Sequence, residues 1–162
     1  MKVFFLINQH VFDGSAHALY CYRNCWWLAR TDPASSVELV VPGGLGFARD
    51  VSAVCASDFA LPALPNLRVT ALPAIRNRKR GRGITVNLLY QAMVWRYLRR
   101  NARPGDVLLT ASFLKLFAFL AGRKGIKSRL RCVYEVHQLE ELDRHRAHPK
   151  SVREHGVLAM AD

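Results

Sequence analysis

The sequence predicts an α/β domain of three layers, with a parallel sheet between two layers of helices. Three observations lead there. Short apolar runs rich in β-branched and aromatic residues recur along the chain, as strands covered on both faces require. Segments of helical period separate them, so strand and helix alternate. The chain opens on a strand, a glycine turn and a helix, the first half of a βαβ unit. Its 162 residues fit one domain with a real core.

Val3-Phe4-Phe5-Leu6-Ile7 is the first strand. Asn8-Gln9-His10 turns polar at once, and Asp13-Gly14-Ser15 is a turn. A helix follows from Ala16 to about Arg30. Cys21 and Cys25 share one of its faces, Arg23 and Arg30 lie on the other side, and Trp26 and Trp27 read as core or domain-interface packing. Ligands of βαβ units bind beyond the carboxyl ends of the strands, where the free N–H groups of the helix start favour an anion. The turn at Gly14 is therefore expected to form one wall of a cleft.

Val37-Glu38-Leu39-Val40-Val41 is the second strand, stopped by Pro42-Gly43-Gly44, and a looser, partly helical segment runs to about Ser57. Leu67–Leu72 is the third strand, closed by Pro73. In Arg76-Asn77-Arg78-Lys79-Arg80-Gly81-Arg82 five of seven residues are basic, which marks an exposed loop that an anion would relieve of self-repulsion. A helix from about Ile84 to Asn101 presents Val86, Leu89, Met93, Tyr97 and Leu98 as its apolar face, with Arg96, Arg99 and Arg100 loading its last turn. After Arg103-Pro104-Gly105, Asp106–Thr110 is the fourth strand. Ala111-Ser112 opens a helix over 113–121, Leu130–Val136 is the fifth strand, and a last helix covers 151–160. The expected sheet order is 3-2-1-4-5, with its switch point between strands 1 and 4. That order brings Asn8–Ser15, Thr110–Ser112 and His137–Glu141 to one rim.

The composition is that of a globular protein, 51% apolar and 22% charged. No apolar run approaches the roughly 20 residues of a membrane span, and the run after Lys2 is too short for a signal peptide. Cytosolic synthesis without secretion is the expectation. The four cysteines show neither C-x-x-C nor a Cys/His ligand spacing, so they read as buried reduced thiols rather than a zinc site. The net charge of +12 attracts phosphate-bearing or otherwise anionic partners. Nucleic acid is the weaker choice among these, because no aromatics interleave the basic run and no RNA-binding signature occurs.

The order of these segments resembles the N-terminal domain of retaining glycosyltransferases of the GT-B fold (the glycosyltransferase group 1, family 4-like proteins). DGSAHALYCYRNCWWLAR resembles their glycine turn, early-helix histidine and first helix. ELVVP resembles their second strand, DVLLTASFLKLFAFLAGRKGI a later strand–helix pair, RCVYEVHQLEEL a strand end, and VLAMAD the segment before their domain's last strand. The resemblance implies a Rossmann-like fold and an acceptor-binding half of an enzyme that moves a sugar from a nucleotide-sugar to a glycan or lipid-linked acceptor with retention. The nucleotide-sugar would be a co-substrate, with neither cofactor nor metal. The donor would be held mainly by a C-terminal domain that this chain lacks, so the chain by itself is expected to be inactive.

Residue by residue, the resemblance assigns His137 to the strand end near the reacting sugar, which it would hydrogen-bond or orient. Gly14 and Ser15 fall on the turn that approaches the donor phosphates, where a side chain at Asp13 or Ser15 replaces the usual second glycine. Asn8, Gln9, His10, His17, Ser112 and Glu140 fall on the acceptor side of the cleft. Arg76, Arg78, Lys79, Arg80 and Arg82 would hold an anionic glycan, a lipid acceptor or an acidic membrane surface, placing a cytoplasmic protein peripherally on the inner face of the cell membrane. The alternative is a basic α/β module that binds nucleic acid or another phosphorylated ligand.

Overall fold

The computed structural model describes residues 1–8, 16–43, 48–74, 84–110 and 130–134, without the side chains of 84–88 and 134. The strands are β1 (Lys2–Leu6), β2 (Ser36–Pro42), β3 (Arg49–Asp50), β4 (Leu67–Leu72), β5 (Asp106–Thr110) and β6 (Leu130–Tyr134). The helices are α1 (Ala16–Thr31), α2 (Ser52–Asp58) and α3 (Ile84–Asn101). One sheet contains all six strands in the order β3-β4-β2-β1-β5-β6. Every pairing is parallel except β3 with β4. The five parallel strands lie in the expected order.

The added strand is a correction to that order. Asp50 explains it, because its Oδ1 accepts from the Ser52 amide at 2.9 Å and the Ser52 hydroxyl at 2.6 Å. This turn lays the Val51 amide on the Val69 carbonyl at 2.9 Å and offers the Ser52 hydroxyl to the Val69 amide at 2.8 Å. The free edge of β4 is thereby capped, as an exposed edge strand requires.

Alternation along the strands sorts the core into two layers. Phe5, Ile7, Leu39, Val41 and Val69 point to the side of α1 and α2, against Cys21, Tyr22, Cys25, Trp26 and Cys55. Phe4, Leu6, Val40, Leu72 and Leu108 point to the side of α3, against Tyr90, Val94 and Leu98. Cys21, Cys25 and Cys55 are buried and Cys132 is half-buried, and none of the four is in a disulfide. Burial pushes the Cys55 thiol up to about 12, with Asp58 and Asp50 adding to the effect.

The tryptophan pair divides between core and surface, and one packing expectation on α3 needs correction. Trp26 is core at 6% exposure, but Trp27 stands 56% exposed. Consecutive helical residues are about 100° apart, so both indoles cannot face the sheet. On α3 the fully buried positions are Tyr90, Val94 and Leu98, while Leu89, Met93 and Tyr97 flank them half-buried. The buried stripe thus lies about one position from the expected one, because Tyr90 has polar partners beneath it. The side chain of Val86 lies outside the described residues.

Candidate functional site

The register places three strand ends side by side. Leu6 of β1 lies opposite Thr110 of β5, and Thr110 lies opposite Tyr134 of β6. The carboxyl ends of β1, β5 and β6 therefore lie side by side at one edge of the sheet. On the other side of β1, Leu6 lies opposite Val40 of β2. This is the edge at which doubly wound sheets bind ligands.

Side chains fix that edge from below. The buried Tyr90 hydroxyl, from α3, reaches the carbonyls of Ile7 at 2.8 Å and Val40 at 3.1 Å, one hydrogen shared between two acceptors. Burial holds the Tyr90 phenol well above its ordinary pKa, so it remains a donor. The Thr110 hydroxyl donates to the Leu6 carbonyl at 3.2 Å. Gly43 follows β2, and its amide donates to the Leu72 carbonyl at 2.6 Å. A Cβ on Gly43 would come to 3.1 Å from that carbonyl oxygen and 3.2 Å from the Ala71 Cβ. The ends of β1, β2, β4 and β5 are thus bound to one another before the chain leaves the sheet.

Of the candidate residues, two are described. Asn8 is half-buried just past β1, beyond the Ile7 carbonyl that Tyr90 holds. His17 lies in the first turn of α1. Its Nε2 is 3.5 Å from the Cys21 sulfur, one helical turn on, and its ring stacks on Tyr20 at 6.5 Å between centroids. Which of the pair donates depends on the imidazole tautomer. His17 is therefore oriented along α1 by its own helix. Gln9, His10, Gly14, Ser15, Ser112, His137 and Glu140 lie outside the described residues, as do Arg76, Arg78, Lys79, Arg80 and Arg82.

A second polar cluster was not legible in the sequence. Glu38 is the third residue of β2 and has no exposure. Its Oε1 accepts from the hydroxyls of Thr70 on β4 and Tyr97 on α3. Its Oε2 meets the Lys2 ammonium at 2.5 Å, an ion pair lying off the hydrogen-bond directions. Burial, then the bond to Glu38, pushes the Tyr97 phenol up to about 12. Lys2 is also tied to β5, because its amide donates to Asp106 Oδ1 at 2.9 Å. These residues sit on the α3 face toward the amino ends of the strands, away from the candidate rim. Glu38 touches no solvent and its oxygens are already engaged, so its chemistry is to join β1, β2, β4 and α3.

Among the described residues, no three His, Cys, Asp or Glu side chains gather as a metal ion would require. No helix among them is long and apolar enough to cross a membrane. No protein-family model and no curated protein matches the chain.

Proposed function

We propose that this domain is the acceptor-binding half of a retaining glycosyltransferase, with its cleft at the carboxyl edge of the sheet. One observation supports the reading: Leu6, Thr110 and Tyr134 are in register at the carboxyl edge of neighbouring parallel strands, and Gly14, Ser112 and His137 follow them closely in the sequence. In this reading His137 hydrogen-bonds or orients the reacting sugar through its imidazole. Asn8, Gln9, His10, His17, Ser112 and Glu140 line the acceptor side, and Gly14-Ser15 adjoin the donor phosphates. A second domain supplies most of the donor contacts. The surplus of cations, net +12, favours an anionic glycan or a phosphate-linked lipid as acceptor.

Calorimetric titration tests this. Acidic oligosaccharides and polyprenyl-phosphate-linked sugars are expected to bind more tightly than any nucleotide-sugar, and His137→Ala to weaken them. Tight binding of RNA or free nucleotide, with the sugars ignored, would favour the basic phosphate-binding module instead.

A further inference from the structure

Helix α1 turns an unusual face outward. Among the described residues six large hydrophobics are exposed, and three of them, Tyr20 at 40%, Trp27 at 56% and Leu28 at 41%, belong to this one helix. At 100° per residue Tyr20 and Trp27 fall within about 20° of each other, seven residues apart, on the side opposite the buried Ala18, Cys21, Cys25 and Ala29. Arg23 and Arg30 flank them, both exposed. The Arg30 guanidinium carbon lies 5.1 Å and 5.2 Å from the Trp26 and Trp27 ring centres. Trp27 is further braced edge-on against Trp26, with 5.2 Å between centroids at 84°. The Trp26 indole is in turn fixed by donation to the Pro62 carbonyl at 2.9 Å. The exposed indole is therefore held out from the surface on a rigid mount. The helix sequence AHALYCYRNCWWLART contains no acidic residue.

We infer that the outward face of α1, Tyr20, Arg23, Trp27, Leu28 and Arg30, docks on an anionic phospholipid surface. Tryptophan and tyrosine settle at the boundary between headgroups and acyl chains, leucine enters the apolar side, and arginine meets the phosphates. Charge selects this occupant. A second copy would bring two wholly cationic faces together, in a chain already at +12, and they would repel. A nucleic acid would use the rings for stacking, but Leu28 offers no ring and Arg30 already lies against Trp27. The surface is independent of the glycosyl-transfer reading, which places its ligand at the carboxyl edge of the sheet.

Vesicle sedimentation with the full chain tests it, using zwitterionic vesicles and vesicles with about a third anionic phospholipid. Recovery is expected with the anionic vesicles only, with a blue shift of tryptophan emission that Trp27→Phe removes, since Trp26 is already buried and Trp95 lies on α3, across the sheet from this face. Tyr20→Gln/Trp27→Gln/Leu28→Gln should lower the partition coefficient at least tenfold while keeping the far-ultraviolet spectrum. Arg23→Gln and Arg30→Gln should each lower it about fivefold. Equal recovery on both vesicles would overturn the proposal. So would binding that survives the triple replacement but vanishes when Arg76, Arg78, Lys79, Arg80 and Arg82 become serine, or a wild-type chain that ignores vesicles and binds single-stranded RNA through this face.

Discussion

The hydroxyl of Tyr90 stands 2.8 Å from the carbonyl oxygen of Ile7, eighty-three residues earlier in the chain. That bond fastens the middle of α3 to the point where β1 gives way to the candidate rim. Tyr90→Phe leaves the ring packed and removes only the hydroxyl that donates to the Ile7 and Val40 carbonyls. A loss of about 1–2 kcal/mol is expected in urea unfolding, with an unchanged m-value.

Glu38 should be worth more than its single charge suggests. Glu38→Ala strands the Thr70 and Tyr97 hydroxyls and the Lys2 ammonium together, and should destabilise by roughly 3–5 kcal/mol. Tyr97→Phe should cost about 1.5–3 kcal/mol, as for a bond to a charged group. In a double-mutant cycle Glu38→Gln and Tyr97→Phe should couple by about 1–3 kcal/mol. Additive losses would show that the two side chains do not act together.

Stability should fall at both ends of the pH scale. Tyr97 rises from 10.0 to about 12 and Cys55 from 9.0 to about 12 in the fold, and Tyr22 is raised by burial. A raised acid stays protonated in the native state while the unfolded chain ionises. Its contribution is thus complete below about pH 9 and is lost as pH climbs from there toward 12. Asp50 is lowered, chiefly by the Ser52 hydroxyl, and Asp32 chiefly by Ser35. Their contributions are present above about pH 4 and vanish as acid protonates the native carboxylates. Both aspartates are largely exposed, so the acid limb should be the shallower one. Urea midpoints measured across pH check both signs.

Two glycines should fail for different reasons. Gly43→Ala presses a Cβ to 3.1 Å from the Leu72 carbonyl oxygen, and about 1–3 kcal/mol of overpacking is expected. Gly105 has open space around it but a φ of +90°, in the turn where the Asp106 amide returns to the Arg103 carbonyl at 3.1 Å. There Gly105→Ala is expected to cost about 1–2 kcal/mol through the backbone alone. Thermal melts of the two variants measure both.

The sheet could be read from the chain because its determinants are local. The run at Val3–Ile7 is apolar on both alternations, which only a strand covered on two faces tolerates. Arg103-Pro104-Gly105 likewise announces the turn that starts β5. The Glu38 cluster could not be read, because Thr70 is 32 residues from Glu38 and Tyr97 is 59 away. Only the parallel register and the position of α3 bring them together. Which of Trp26 and Trp27 packs into the core was likewise undecided, because consecutive helical residues point about 100° apart and only the helix phase selects one. At the candidate rim the neighbouring strand ends followed from the order of segments, whereas the brace from Tyr90 depended on the exact rotation of α3.

The carboxyl edge is the central claim, and amide chemical-shift mapping with an acidic oligosaccharide tests it most directly. The account expects the largest shifts at Asn8, His17, Thr110 and Tyr134, fading toward the amino edge. Shifts gathered instead at Lys2, Ser36 and Leu130, with Asn8 and Thr110 unmoved, would contradict it.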